Sequence, residues 1–238
     1  MLRLLPPLAA KRFVDENFPH CQAAILAGSV VRGEATTTSD LDIVIFDNAV
    51  RSSNRESHID YGWPIEVFVH THTSYKAFFK MDVERARPSL PKMVAEGIVL
   101  VDTGILSSIK NEACEILKKG PEPWSTETLL TKRYMITDML EDLIGTENSA
   151  ESLFIANALA EAIHEYVLRT NCQWIGASKW IVRALKQYDE AFAKRFIDTF
   201  TTFYRTGDKS GIILIVDEIL KPHGGRLFEG YSMGKGEE

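Results

Sequence analysis

Cysteine is scarce in this sequence: its 238 residues include 3 of them, Cys21, Cys114 and Cys172. They lie far apart, their number is odd, and no pair has the Cys-x-x-Cys spacing of a zinc site. This usage argues against a disulfide-stapled scaffold and against a cysteine-based metal centre. It is typical of a protein in a reducing compartment, so we expect a cytoplasmic location.

Long apolar runs are also lacking. No stretch approaches the roughly 18 consecutive apolar residues that a membrane-spanning helix needs. The apolar start of the chain, MLRLLPPLAAKRF, is broken by two prolines and followed by charged residues, which makes it a poor signal peptide. We therefore expect no membrane partner.

Positive charge is not in excess. The 27 lysines and arginines are outnumbered by 33 aspartates and glutamates, and the formal net charge is −6. Broad affinity for nucleic acid requires a basic surface, so we do not expect a nucleic-acid partner. A small, local basic site is compatible with this composition.

The most informative stretch is residues 22–46, QAAILAGSVVRGEATTTSDLDIVIF. Its apolar run Ala23–Ala27 predicts a buried strand that ends at a glycine-serine pair. A second strand is predicted over Leu41–Phe46, which is apolar except for one aspartate. The polar residues between the two strands limit any helix there to one or two turns.

Asp40 and Asp42 are the residues that folding alone does not explain. Positions i and i+2 of a strand point to the same face, and neighbouring carboxylates repel each other. Mg²⁺ takes oxygen ligands, commonly one or two carboxylates together with substrate phosphates. Gly28 would let a phosphate approach the backbone, while Ser29 and a short helix after it would donate hydrogen bonds. The alternative, a solvated strand start beside an ordinary turn, stays open at this point.

The glycine-serine pair, followed after ten residues by Asp40-Leu41-Asp42, resembles the signature of the polymerase-β-like nucleotidyltransferase superfamily. The plan is similar to that of its small bacterial two-domain members, the aminoglycoside and kanamycin nucleotidyltransferases. The family requires a third carboxylate on a neighbouring strand, and Glu66 in the segment PIEVFVH resembles that residue. In this segment Glu66 alternates with the aliphatic residues, so it faces away from them.

The resemblance implies one or two Mg²⁺ ions, with ATP or another nucleoside triphosphate as co-substrate. Three carboxylates would bind the metal and act as catalytic residues: Asp40, Asp42 and Glu66. Residues with hydroxyl, backbone or cationic groups would hold the nucleotide: Gly28, Ser29, Arg32, Ser39 and Lys132. The residue that takes the proton of the acceptor hydroxyl stays open between Glu66, Asp138 and Glu141.

Two of these residues have a structural alternative. Arg32 could form a surface salt bridge with Glu34. Lys132 lies, with the two acidic candidates Asp138 and Glu141, on a helix whose polar residues could form a solvated face.

Residues 1–104 mix strands with helices, whereas residues 105–238 show the apolar periodicity of helices. We predict an α+β fold, in which an N-terminal nucleotidyltransferase α/β domain with a small mixed sheet precedes a C-terminal bundle of about five or six helices. The first range would be catalytic and the second would bind the acceptor, although helix 105–119 could pack on either half. Further expectations concern a loop, a buried last strand and a loosely held tail, at residues 47–56, 98–101 and 224–238.

The expected function is Mg²⁺-dependent transfer of a nucleoside monophosphate, with AMP from ATP favoured, to a hydroxyl of a small molecule such as an aminoglycoside-like antibiotic. The acidic character of residues 138–165 suits a cationic acceptor. One alternative is nucleotidylation of a protein or RNA partner, as in toxin–antitoxin pairs, and another is a catalytically idle nucleotide-binding protein. A homodimer is left open.

Overall fold

The structure is a computed structural model that describes residues 3–234. The chain divides between Gly120 and Pro121 into two compact units. The first unit contains the sheet, and the second is helical. The expected α+β fold is therefore confirmed.

The first unit is built on a mixed five-stranded sheet in the order β3-β4-β2-β1-β5. The strands are β1 (Ala23–Ala27), β2 (Leu41–Phe46), β3 (Asn54–Asp60), β4 (Trp63–His70) and β5 (Ile98–Asp102). β2 and β4 run parallel, and the other neighbouring strands pair in antiparallel fashion.

Four helices cover the two faces of this sheet: α1 (Pro6–Asn17), α2 (Ser74–Glu84), α3 (Ser89–Glu96) and α4 (Leu106–Lys119). Successive side chains of β2 alternate between the faces. Ile43 and Ile45 pack in the core that includes Phe13 of α1. Val44 and Phe46 pack in the second core, beneath α2, α3 and α4. Asp42 shares the face of this second pair and lies at its end.

The second unit contains five α-helices among the described residues: α5 (Thr126–Gly145), α6 (Ser149–Thr170), α7 (Trp180–Tyr188), α8 (Glu190–Thr206) and α9 (Ser210–Leu220). A 3-10 turn, Lys221–His223, follows the last of them. Three helices begin at a side chain that accepts a backbone N–H bond, Ser125, Asn148 and Asp189. Serine, asparagine and aspartate are residue types that are preferred at the N-cap of a helix.

The boundary between the two units lies after helix α4, one helix later than the predicted boundary at residue 104. Helix α4 buries Leu106, Ile109 and Ala113 in the core of the first unit. Its Lys110 also donates a hydrogen bond to the carbonyl of Gly97, at 2.8 Å. Composition changes at the start of this helix, but packing places the helix with the sheet.

Two predictions near the sheet edges are wrong in part: the burial of the strand at 98–101 and the end of the loop at 47–56. Ile98 and Val99 were expected in a buried strand, but they lie on the edge strand β5 and are 44% and 46% exposed. Strand β3 begins at Asn54, inside the segment 47–56 that was expected to be a loop. β3 forms the opposite edge and is mostly exposed, so it lacks the apolar alternation by which a strand is recognised.

The short helix expected after Ser29 is also absent, since the described residues 29–33 form consecutive turns. The amides of Val31 and Glu34 donate to the carbonyls of Gly28 and Ser29, at 3.3 and 3.0 Å. The turn can still present backbone N–H groups, but it has no helix dipole.

The tail that begins at residue 224 is not loosely held where the structure describes it. Tyr231 stacks on Tyr134 of α5 with ring centroids 4.1 Å apart and planes inclined by 10°. Arg133 of the same helix donates to the carbonyl of Gly225, at 2.9 Å. The last four residues of the predicted tail lie outside the described part of the chain.

Within the described residues, no helix combines the length and the apolar character that crossing a membrane requires.

Candidate active site

Three carboxylates meet at one end of the sheet. Asp42 and Glu66 are register partners on the parallel strands β2 and β4, and Asp40 lies just before β2. Each offers an oxygen, and these three oxygens lie within 4.8 Å of one another. All three residues are partly buried, so the cluster is accessible from solvent without being fully hydrated.

The cluster is electrostatically unfavourable by itself. Burial, followed by the charges of Asp40 and Glu66, raises the pKa of Asp42 to about 6, although Arg32 and Arg55 oppose this shift. A divalent cation would relieve the repulsion, and three carboxylate oxygens are hard donors of the kind that Mg²⁺ prefers. The donor set therefore fits the metal that the resemblance implies.

Gly28 lies against this cluster. Its φ is +82°, and a Cβ built on it would come within 2.0 Å of Oδ2 of Asp42. A side chain at this position would collide with the carboxylate and would also adopt an unfavourable backbone conformation. The residue that follows β1 therefore has to be glycine for Asp42 to keep its place.

Ser29 and Ser39 link the glycine turn to the loop that leads into β2. The Ser29 hydroxyl donates to Oγ of Ser39 at 3.1 Å, and Oγ of Ser39 accepts from the amide of Thr36 at 2.8 Å. Arg3 donates to the backbone carbonyls of Ser39 and Thr37, at 2.9 and 3.4 Å. These bonds join the glycine turn to the loop that precedes Asp40 and attach that loop to Arg3, near the start of the chain.

The cationic candidates have acidic partners in the structure. Nε of Arg32 lies 3.2 Å from Glu34, as the structural alternative requires, and its NH1 lies 3.5 Å from Glu96. Arg32 still acts on the cluster, because its charge lowers the pKa of Asp42. Lys132 belongs to the second unit, where its Nζ lies 2.6 Å from Glu165.

The two alternative acceptor-side acids also lie on α5 of the second unit. Asp138 is exposed. Glu141 accepts a hydrogen bond from NH1 of Arg226 at 2.7 Å, and Arg226 also contacts Asp217. Glu141 is therefore tied into an ion-pair network of its own unit.

Sequence reasoning missed Arg55 at this site. Arg55 lies on β3, and its NH2 group is 2.5 Å from Oε2 of Glu66. Because residues 47–56 had been assigned to a loop, nothing connected Arg55 with the third carboxylate. A strand β3 that extends back to Asn54 would have supplied that connection, since it pairs Arg55 with Phe68 of β4.

The comparison with protein families agrees with this geometry. Residues 9–94 match the model of the family described as "Nucleotidyltransferase domain". This part of the chain is therefore similar to a nucleotidyltransferase domain. The matched range contains the three carboxylates and the glycine-serine turn, and it supports the expected enzyme class, a transferase of nucleotidyl groups. It ends within α3 and does not reach the second unit.

A solved structure is similar in outline, a nucleotidyltransferase-like protein from Exiguobacterium sibiricum. It is 8% identical, with a TM-score of 0.46, and the similarity covers 91% of this chain and 74% of that chain. No curated protein matches the sequence.

Proposed function

We propose that this nucleotidyltransferase is Mg²⁺-dependent and transfers a nucleoside monophosphate, with AMP from ATP favoured, to a hydroxyl of a small molecule. The observation that carries the proposal is the meeting of Asp40, Asp42 and Glu66 within 4.8 Å. Three carboxylates at this separation repel one another, and a metal-assisted transfer gives a reason for them to stay together. A reducing cytoplasmic location remains part of the proposal.

Each residue of the cluster has a role in this reaction. Asp40, Asp42 and Glu66 would hold one or two Mg²⁺ ions. When bound, Mg²⁺ would lower the pKa of the acceptor hydroxyl and offset the negative charge on the departing pyrophosphate. Glu66 would also accept the proton of the acceptor hydroxyl.

The turn beside the carboxylates suits the triphosphate. Gly28 lacks a side chain that would keep a phosphate away, and Ser29 and Ser39 offer hydroxyls. Arg32 would add positive charge after leaving its contacts with Glu34 or Glu96. Such groups contribute mainly by orienting the phosphates and stabilising charge.

The helical second unit is our candidate for acceptor binding. Its helix α5 carries Lys132, which we propose as a further nucleotide contact, and the acidic Asp138 and Glu141. Exposed acidic groups suit a cationic acceptor such as an aminoglycoside-like antibiotic, since opposite charges favour encounter and orientation.

The test is calorimetric binding of a non-hydrolysable ATP analogue with and without Mg²⁺. The wild type is compared with Asp40→Asn/Asp42→Asn, and Asp198→Asn on α8 serves as an acidic surface control. We expect binding that needs both the metal and the two aspartates and that the control variant retains. Acceptors, aminoglycosides first, are then screened for pyrophosphate release.

The remaining outcomes discriminate between the alternatives. Metal-independent binding that the double variant retains would contradict catalysis and favour an idle nucleotide-binding protein. Metal-dependent binding followed by transfer only to a protein or RNA would replace the small-molecule acceptor with a macromolecule.

A further inference from the structure

Arg55 is a cation held at the edge of the carboxylate cluster. Its NH2 group lies 2.5 Å from Oε2 of Glu66. The Arg55 side chain is 60% exposed, whereas that of Glu66 is 26% exposed. Arg55 thus pairs with a partly buried carboxylate, while most of its own side chain is exposed to solvent.

The register of β3 against β4 explains how Arg55 reaches Glu66. Arg55 lies opposite Phe68, and Ser57 lies opposite Glu66. The guanidinium therefore crosses diagonally to its carboxylate, a distance that long side chains span on one face of a sheet. It also lies 5.0 Å from the centre of the Phe68 ring, which supports the side chain along the way.

This contact sets Arg55 in competition with a metal ion. A cation that binds the carboxylate cluster would take Glu66 as a ligand, and Glu66 already has a positive partner. One guanidinium offsets only part of the charge of three carboxylates, so the cluster keeps its attraction for a divalent ion. The ion pair with Arg55 nevertheless weakens capture of the ion by the protein alone.

A nucleotide offers Arg55 a second partner. Guanidinium binds carboxylate and phosphate through the same planar arrangement of donors, so an exchange between the two replaces one charge-assisted hydrogen bond with another. The exposure of Arg55 leaves the guanidinium room to turn. Release from Glu66 would then coincide with arrival of the phosphates.

We propose that Arg55 couples metal binding to nucleotide binding, by holding Glu66 until a nucleotide phosphate takes over the guanidinium. The inference rests on the proposed function, because it requires a metal and a nucleotide at the same site. It makes Arg55 a positioning residue for Glu66 in the free protein and a phosphate ligand in the complex. The metal is then retained together with the nucleotide and not by the protein alone.

The experiment measures Mn²⁺ affinity by electron paramagnetic resonance, with and without a non-hydrolysable ATP analogue. Wild type is compared with Arg55→Met, which keeps the apolar stem but removes the charge, and with Arg55→Lys. Arg51→Met is the matched control, since Arg51 is an exposed arginine four residues earlier in the chain. Thermal unfolding of each variant verifies that it is folded.

For Arg55→Met we expect Mn²⁺ alone to bind about fivefold more tightly, the scale of a partly exposed ion pair. The factor by which the nucleotide analogue tightens Mn²⁺ binding should fall by about fivefold, and metal should tighten nucleotide binding by the same reduced factor. Arg55→Lys should lie between wild type and Arg55→Met, because lysine keeps the charge without the planar fork. Arg51→Met should match the wild type.

Equal Mn²⁺ affinity in wild type and Arg55→Met would overturn the inference. So would a tighter metal site with unchanged nucleotide coupling, since Arg55 would then have no phosphate partner. Asp42→Asn separates this failure from failure of the proposed function. If Asp42→Asn binds Mn²⁺ as tightly as the wild type, the proposed metal site itself is wrong. If Asp42→Asn loses Mn²⁺ binding and Arg55→Met binds as the wild type does, only the role of Arg55 is wrong.

Discussion

At the scale of single residues, the site depends on one glycine that makes room for one carboxylate. Gly28→Ala adds a Cβ 2.0 Å from Oδ2 of Asp42 at a φ of +82°. We expect it to lower the free energy of unfolding by about 2–3 kcal/mol and to abolish metal-dependent nucleotide binding, because Asp42 has to move. Chemical denaturation and calorimetry measure the two effects.

Gly33→Ala is the matched control for that variant. Gly33 has a φ of +71° in the same turn region, but a Cβ built there meets no atom within 4 Å. It should therefore incur only the backbone strain, about 1 kcal/mol, and keep nucleotide binding. Similar binding losses in both variants would mean that turn conformation, and not the place of Asp42, is decisive.

Asp42 itself should show opposite effects on stability and activity. The folded state raises its pKa to about 6, so the protonated carboxyl favours folding below an unfolded pKa near 3.9, and this contribution is lost as the pH rises through 6. At pH 8 in chelator, Asp42→Asn should therefore raise Tm by about 2–4 °C while lowering transfer activity by about 10³-fold. A lower Tm in calorimetry would show that the carboxylate supports the fold.

Residue-level prediction from the sequence was limited to side chains that are near each other in the chain. Asp40 and Asp42 are two positions apart and were predicted to face the same way, and their carboxylate oxygens lie within 4.8 Å of each other. Arg55 was out of reach for this approach, since its partner is 11 positions away. Only the pairing of two strands brings Arg55 to Glu66.

At the scale of elements, the start of the chain clamps the loop that carries Ser39. Arg3 donates to the Ser39 carbonyl at 2.9 Å, and its guanidinium lies 3.3 Å from the centre of the Trp63 ring. Arg3→Gln should loosen this loop and weaken binding of the nucleotide analogue by about fivefold, on the scale of one lost charge-assisted hydrogen bond. Lys11→Gln on α1 is the control, and equal affinities in calorimetry would exclude a role for the clamp.

The end of β4 carries a pH-sensitive contribution to stability. His70 is 3% exposed, and burial lowers its pKa to about 4. An unfolded histidine titrates near 6.5, so below that pH the unfolded chain gains a proton that the folded chain does not. The free energy of unfolding should fall by up to ~3 kcal/mol between pH 6.5 and 4.

Denaturation of His70→Gln over this pH range tests the assignment. The variant should lose most of the decrease seen in the wild type, whereas His20→Gln, at an exposed position, should keep it. An unchanged decrease in His70→Gln would assign the acid sensitivity to other groups.

Elements were predictable from the sequence where burial gives them a pattern. β1 and β2 have continuous apolar runs, and the structure places them at the predicted residues. β3 and β5 lie at the sheet edges, where most side chains are exposed to solvent and need not be apolar.

At the scale of the whole molecule, the two units should fold independently. A protease site inserted between Gly120 and Pro121 divides the chain where the compact units meet in sequence. After cleavage and separation, each fragment should keep cooperative unfolding and its own helical circular dichroism. A fragment that unfolds upon separation would show that the division is only geometric.

The sequence predicted the class of each half, with a border at residue 104, and left open which half the helix at 105–119 joins; that helix belongs to the first compact unit. Composition shifts at residue 104, where the last strand ends, and this shift says nothing about which core the next helix joins. That choice depends on three-dimensional contacts of Leu106 and Ile109 with residues of α2 and α3. The family match at residues 9–94 stops before this helix as well.

Because its pKa is raised to about 6, the Asp42 carboxyl keeps part of its proton at mildly acidic pH. Around pH 6 the metal-free protein carries Asp42 half protonated, and a divalent ion accepts only the ionised carboxylate as a ligand. Loading the site at that pH should therefore release about half a proton per protein into the solvent. Filling could be followed with nothing more than an indicator dye in weak buffer, even before any acceptor is known.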